Sequence, residues 1–300
     1  MSLTFRPASV ADSPTIFQIF EASIMDLSRR QGVMAVPGGN DPAMLDSLWQ
    51  HRGSLFEHLA RTADQFWLAE RAGQAIGYAR SIRRGQMREL TDFFVLPIEQ
   101  SAGVGRELLA RAFPRDGAAH RVIVATSDSR AVALYLKAGV YARFPIYYFS
   151  RSPEAVTLAT DLIVEPIAAS PQVIEMLAAL DLAVLGHRRD ADHLWLLTQR
   201  QGYLYYRDRQ PVGYGYVSAS SGPFALLHAT DFPAVLAHAE SQAAAAGHPF
   251  GVEVPLVNRA AVDYLLSRGF QMDSFFAFFM SDAPFGRFEQ YLFTSPPFFL

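Results

Sequence analysis

The sequence contains no cysteine and very little lysine, arginine having taken over most basic positions. Without thiols there is no disulfide, no cysteine nucleophile and no thiolate metal site, and the composition fits a reducing compartment. The net charge is only −3 and no long basic run occurs. The electrostatic footprint of a nucleic-acid partner is therefore missing. No apolar run reaches the roughly 18 residues that a membrane span needs, and the start, Met1-Ser-Leu-Thr-Phe-Arg6, has no basic segment leading into one. The expectation is a soluble, cytoplasmic protein with no membrane contact. The eight histidines show no His-Glu-x-x-His or comparable ligand spacing. His51 and His58 are too far apart for adjacent helical turns, so no metal is expected.

What is present is apolar bulk. Half of the 300 residues are hydrophobic, enough for a substantial core, and the length favours two ordinary domains. The stretch that organises the chain is Glu89 to Phe113, read as strand, glycine loop and helix. Glu89-Leu-Thr-Asp-Phe-Phe-Val-Leu-Pro97 is rich in β-branched and aromatic residues and stops at proline, whereas Val104, Leu108, Leu109 and Ala112 recur at helical spacing. Gly103 and Gly105 between them allow positive φ or close approach of a ligand, and the first N–H groups of the helix lack intrahelical partners. Such a turn is suited to cradling phosphate. It is not a dinucleotide fingerprint, because Leu108 stands where the third glycine is needed, and it lacks the Gly-Lys-Ser/Thr of a Walker loop.

The remaining pattern, Val95-x-Pro97-x-x-Gln100-x-x-Gly103-x-Gly105, resembles the acyl-CoA pyrophosphate loop of the GCN5-related N-acetyltransferases (GNATs). That resemblance implies cofactor contacts from Phe94, Val95, Gln100, Ser101, Ala102, Gly103, Val104, Gly105 and Arg106. It also implies an arm of the cofactor lying between two splayed strands, here Arg88 to Leu96 and Arg121 to Thr126, much as an added strand would.

Around this centre the pattern predicts a strand at Thr4 to Arg6, a helix from the cap residues before Pro14 to about Met25, a loop-rich stretch from Gln31 to Pro42 and a helix over Ala43 to Arg61. A hairpin follows, Phe66 to Arg71 and Gln74 to Ile82, turning at Ala72-Gly73. After the central segment come a buried strand, His120 to Thr126, a helix from Ser129 to Ala138 ended by Gly139, and a closing strand from Arg143 to Ser150. Ser150 to Thr160, polar and punctuated by proline, reads as a linker.

Past it the order begins again. Leu162-Ile-Val-Glu-Pro166 answers Phe5-Arg-Pro7. Gln210-Pro-Val-Gly213-Tyr-Gly-Tyr answers Gln74-Ala-Ile-Gly77-Tyr-Ala-Arg at an offset of 136, and Ala261 to Gly269 answers Ala131 to Gly139 at an offset of 130. Three anchors in one order indicate an internal duplication. The later copy is shorter across the interval holding the glycine loop. At the equivalent place, Phe224 to Pro233, there is no Gly-x-Gly, and Asp231 puts a carboxylate where phosphate would sit.

The resemblance thus extends to a tandem of two GNAT domains, 1–150 and 161–300 with a linker at 151–160, the second copy degenerate. The fold class implied is α/β (α+β), each domain a mixed, mostly antiparallel sheet with splayed central strands flanked by helices. The activity implied is transfer of an acetyl group from acetyl-CoA to a primary amine of a small molecule or peptide, by direct attack in a ternary complex. A non-catalytic acyl-CoA sensor, a different acyl group and an oxygen acceptor stay open.

Three side chains are candidates for that chemistry, Tyr135, Glu89 and Asp92, and a fourth, Asp128, for holding the cofactor. Tyr135, in Ala131-x-x-Leu-Tyr135-x-Lys-x-Gly139-Val140, resembles the family's general acid, although a core tyrosine is the plain alternative. Asp128, standing where the family usually has Asn, could accept hydrogen bonds from the cofactor. Glu89 lies six residues before Val95, where some members carry a general base. Regular strand alternation would put it on one face with Thr91, Phe93 and Val95, and Asp92, the other candidate base, on the opposite face. Water could replace either. The apolar Phe275 to Met280 and the segment Pro296 to Leu300 read as sheet core or domain contact, with an acceptor pocket or homodimer interface as alternatives.

Overall fold

The computed structural model describes residues 2–32, 42–100, 103–294 and 299–300; much of the loop-rich stretch, together with Ser101, Ala102 and the Pro296–Phe298 part of the final apolar segment, lies outside them. In chain order the elements are β1 (Leu3–Pro7), α1 (Ser13–Gln31), α2 (Pro42–Arg61), β2 (Ala63–Arg71), β3 (Gln74–Arg84), β4 (Met87–Val95), α3 (Val104–Ala112), β5 (His120–Thr126), α4 (Ser129–Lys137) and β6 (Tyr141–Arg151). There follow β7 (Ile163–Pro166), α5 (Pro171–Val184), α6 (Asp190–Gln199), β8 (Gln201–Arg207), β9 (Gln210–Val217), β10 (Phe224–Leu226), α7 (Phe232–Ala246), β11 (Phe250–Pro255), α8 (Arg259–Ser267), β12 (Gln271–Ser281) and β13 (Tyr291–Leu292). They form two compact units, Met1–Ile123 with Asp128–Val140, and Val124–Ser127 with Tyr141–Leu300.

In the first unit β1, β2, β3 and β4 are antiparallel neighbours, and β5 joins β4 in parallel. The β2–β3 hairpin turns where glycine allows it, with Ala72 and Gly73 both at positive φ. Helix α1 runs six residues past the expected Met25, and Gly32 at φ +68° ends it. Its face of Ile16, Phe17, Ile19 and Phe20 is buried against Phe56 of α2 and Phe66, Leu68 and Tyr78 of the sheet. The rings of Phe17 and Phe20 meet Phe56 edge-on at 5.2 and 5.4 Å, and each buried side chain contributes about 1.5–3 kcal/mol. On the other face α3 buries Val104, Leu108, Leu109 and Ala112, the four positions its period singles out.

The second unit repeats the hairpin as β8 and β9, with β7 on one side and β10 then β13 on the other. It also takes β6. The sequence places that strand at the end of the first domain, yet it lies between β11 and β12, with Phe149 opposite Val252 and Ile146 opposite Ala277. Ile146 and Phe149 are fully buried, and an apolar strand is seated by the surfaces available to cover it, whatever its place in the chain. The apolar Phe275–Met280 segment belongs to β12. Its rings stack within the unit, Phe276 on Tyr147 and Phe279 on Phe144, both at 4.9 Å.

Candidate functional site

Strand β4 carries the site, and a bulge in it decides which side chains face where. Ser81 pairs with Leu90 but Arg80 pairs with Asp92, so Thr91 is an extra residue. Arg80 and Ile82 share one face of β3; their partners Asp92 and Glu89 therefore share one face of β4. The regular alternation expected from the sequence placed these carboxylates on opposite faces. The bulge overturns it: Glu89, Asp92 and Phe94 look toward α1 and α2, while Phe93 and Val95 look toward α3 and α4.

Asp92 is held on all sides. It accepts from Arg80 Nε at 2.9 Å and Nη2 at 2.6 Å, from the Tyr78 hydroxyl at 3.1 Å and from the Thr91 hydroxyl at 2.8 Å. Arg80 is itself fully buried and donates to the Phe56 carbonyl at 2.8 Å. Burial, reinforced by the Asp92 charge, pushes the Tyr78 hydroxyl far above its usual range, so it stays a donor. This geometry gives Asp92 the work of neutralising a buried arginine. Glu89 is fully buried on the same face. Glu21 of α1, which sequence reasoning passed over, is a third buried carboxylate there; burial raises its pKa and Arg52 binds it at 2.9 Å.

The backbone of β4 offers something different. Pairing with β5 runs from Met87↔His120 to Leu90↔Ile123 and stops there. On the β3 side Leu96 donates to the Ile76 carbonyl at 2.9 Å. Bonded and non-bonded pairs alternate in an antiparallel ladder, so Phe94 spends its backbone on β3, whereas Phe93 and Val95 turn theirs to the edge that β5 has left. Phe94, singled out in the sequence, also spends its ring, on Phe20 at 5.1 Å and Tyr78 at 5.8 Å. Phe93 was missed because only the register, not the residue type, reveals it.

The loop continues from that edge. Gln100 turns back and its amide donates to the Val95 carbonyl at 2.9 Å. Gly103 has φ +82° as the residue before α3, and a Cβ there would meet no atom within 4 Å. A side chain there is disfavoured by the positive φ and not by crowding, and the first N–H groups of the helix lack intrahelical partners. Gly105 serves packing instead: a Cβ would lie 3.1 Å from the Phe93 ring. Val104 is buried and Arg106 exposed on the first turn.

From α4, Tyr135 approaches Phe93 with ring centroids 5.9 Å apart. Tyr135 is 5% exposed, and burial, with the Asp128 charge second, raises its hydroxyl well above the ordinary value. It therefore keeps its proton at neutral pH, as an acid must. Asp128 is occupied. It caps α4 by accepting from the Arg130 N–H at 2.9 Å and pairs with Arg30 at 2.9 Å. Burial alone would raise its pKa, but hydrogen bonds from Arg130 and Arg30 hold it at about 2.

The described residues of the second unit lack the open edge, the glycine before the helix and the tyrosine. Its β10 is paired on both sides, by β9 and by β13, which leaves no open edge. Asp231 precedes α7 and is bound by Arg207 at 2.8 and 3.0 Å. Leu265, fully buried, stands 130 positions after Tyr135. Among the described residues of the chain no cluster of three or more metal-ligating side chains occurs, and no helix is long and apolar enough to cross a membrane.

Residues 48–143, the span from within α2 to the start of β6, match the family model for the acetyltransferase (GNAT) domain. No curated protein matches the chain. Among solved structures, a Pyrococcus horikoshii protein assigned as an acetyltransferase superposes with a TM-score of 0.73 at 15% identity, covering 96% of this chain and 92% of that one. A GCN5-related N-acetyltransferase from Sphaerobacter thermophilus gives 0.58 at 15% identity over 95% and 97%. The tandem GNAT protein from the clavulanic acid biosynthesis pathway gives 0.55 at 13% identity over 94% and 99%. These likenesses concern the fold. Residues 48–143 thus match the GNAT acetyltransferase domain, and nearly the whole chain shares the fold of these solved structures, a tandem GNAT protein among them.

Proposed function

We propose that the protein is an acetyl-CoA-dependent N-acetyltransferase acting on a primary amine of a small molecule or peptide, with one working site, in the first copy. The observation that carries the reading is a coincidence around β4: a strand edge vacated by β5, a positive-φ glycine at the N-terminus of α3, and a buried, protonated tyrosine packed on Phe93. An extended acyl-thioester arm needs backbone N–H and C=O groups to pair with; Phe93 and the Val95 N–H are turned away from β3, while the Val95 carbonyl already accepts from Gln100. A pyrophosphate needs unpaired N–H groups and room, which Gly103 and the start of α3 provide.

In this reading the Val95 N–H polarises the thioester carbonyl, Gln100 fixes the strand end that bears it, and the amine attacks the carbonyl carbon. Tyr135 gives its proton to the departing thiolate. Glu89 is the candidate acceptor of the proton from the amine; Asp92, already bound by Arg80, Tyr78 and Thr91, serves better as scaffold. The test is free-thiol release from acetyl-CoA across a panel of primary amines. Acceptor-dependent release supports the reading, and cofactor binding without release under any amine would favour an acyl-CoA sensor.

A further inference from the structure

The strand edge that the proposed reaction uses in the first copy has a counterpart in the second. Gly213 and Gly215 of β9 stand 136 positions after Gly77 and Ala79 of β3. Gly77 and Ala79 pair with Val95 and Phe93, while Gly213 and Gly215 pair with Leu226 and Phe224. Phe224 and Leu226 of β10 are therefore the equivalents of Phe93 and Val95. Their backbones turn the same way. Leu227 donates to the Val212 carbonyl at 2.8 Å and Tyr216 to the Pro223 carbonyl at 3.2 Å. By the alternation of the ladder, Ala225 spends its N–H and C=O on β9, and Phe224 presents its own to the outer edge.

That edge is occupied by the chain itself. Leu292 of β13 lies opposite Phe224, and the next residue, Phe293, donates the other way, to the Glu253 carbonyl of β11 at 3.0 Å. Since β11 precedes α8 as β5 precedes α4, β13 runs between the two strands that answer β4 and β5. The capped helix holds it too. Asn258, 130 positions after Asp128, caps α8 with its Oδ1, which accepts from the Ala261 N–H at 3.1 Å, and its Nδ2 donates to the Tyr291 carbonyl at 3.4 Å. An ionised aspartate has no proton for that second bond. Arg189 donates to the Tyr291 hydroxyl at 2.9 Å and Arg200 to the Thr294 hydroxyl at 2.7 Å. At Gly222 a Cβ would collide with the Phe293 carbonyl, so glycine there admits the segment.

We propose that the second copy has kept its arm slot as a receptor for an extended strand, and that residues 291–294 are its resident ligand. The counterparts of the open strand edge, the departing strand and the capped helix each bind this segment, in the manner of an added strand. The second copy is then closed by occupancy as well as by its missing glycine loop. Naming the slot after the acyl arm rests on the acetyl-transfer reading of β4; the docking of the segment does not.

A docked strand leaves before its receptor unfolds, and a core strand does not. The test is amide hydrogen exchange, read residue by residue by NMR on the full chain near neutral pH. Phe224, Leu292 and Phe293 should share one opening, with protection factors at least about tenfold below that of Ala225, whose bonds go to β9. Asn258→Asp keeps the cap oxygen but sets a carboxylate against the Tyr291 carbonyl, and should lower the protection of those three amides by a common factor of about tenfold. Thr294→Val removes the Arg200 contact without touching α8 and should lower it by about threefold; it decides alone if Asn258→Asp does not fold. Equal protection of Phe224 and Ala225, or folded variants in which the three amides are unchanged or change separately, overturns the proposal. Exchange reads no turnover, so a chain inert toward every amine would overturn the acetyl-transfer reading and leave this result standing.

Discussion

Replacing Tyr135 by phenylalanine separates a general acid from a core ring more cleanly than any other single change. The ring contact to Phe93 at 5.9 Å survives, and no hydrogen bond of the hydroxyl to another described residue is lost. Stability should therefore move by no more than about 0.5 kcal/mol, within the range for substitutions that break no buried network. Turnover should fall by roughly 10²- to 10⁴-fold, the usual worth of a positioned proton donor, with acetyl-CoA affinity little changed. The high pKa direction at Tyr135 makes a second demand: the wild-type rate should show no loss of an acid on the alkaline side until well above the ordinary tyrosine value. The deficit should also shrink with acyl donors whose leaving thiols are more acidic, because they need the proton less. Steady-state thiol release, cofactor titration and thermal melts on the purified variant test all of this. Wild-type turnover across pH would show that Tyr135 is a packing residue and the proton comes from water.

Calorimetry with acetyl-CoA should find one site per chain, since the second unit has neither an open β10 edge nor a glycine before α7; two equivalent sites would contradict this. Gly103→Glu should abolish that binding by setting charge and bulk at the helix N-terminus, at a folding cost of about 1–2 kcal/mol for positive φ, whereas Gly103→Asn, which tolerates that φ better, should retain part of it. Asp92→Ala leaves Arg80 buried and uncompensated, and chemical denaturation should show a loss of about 3–5 kcal/mol; a stable variant that has lost only its activity would return Asp92 to the chemistry. For Asp128 the folded pKa is depressed from 3.8 to about 2, so its stabilisation is present above the unfolded value and disappears as pH falls through about 2. Melting curves of wild type and Asp128→Ala should differ near neutrality and converge in strong acid.

The period change between β4 and α3 was legible because each side of the loop buries its own apolar set, and the four α3 positions named from spacing are the four that are buried. The duplication was legible because Gly77 and Gly213 answer a packing demand: a Cβ at either would lie 2.9 Å or less from a neighbouring atom, from the Phe94 carbonyl in one case and the Leu226 side chain in the other. The faces of β4 were not legible. One inserted residue reverses inside and outside, and Thr91 has no feature that announces a bulge; what favours it is the Thr91 hydroxyl bonded to the Arg80 carbonyl at 3.2 Å and to Asp92 at 2.8 Å. The roles of Asp92 and Asp128 were hidden for a related reason. Their arginine partners, except Arg130, lie far off in sequence, and only the fold decides which carboxylates find one.

The two copies show what such partners are for. Tyr78 and Tyr214 sit at matching places on β3 and β9, both fully buried, and each donates its hydroxyl to a buried aspartate, at 3.1 Å to Asp92 and 2.5 Å to Asp181. Each aspartate also binds a buried arginine through two nitrogens, Arg80 in the first copy and Arg189 in the second. Yet Asp92 stands on the adjacent strand, whereas Asp181 stands on α5, where it also receives His193 at 2.8 Å. What the copies share is therefore a hydroxyl, a carboxylate and a guanidinium that satisfy one another in the core, supplied from different elements. With Asp181 on a helix, β10 need not bend its own carboxylate inward through a bulge, and it is free to pair along both edges with β9 and β13. The first copy keeps its aspartate on β4, bulged beside the point where β5 departs. The same placement that completes its core thus coincides with the open strand edge on which the proposed chemistry depends.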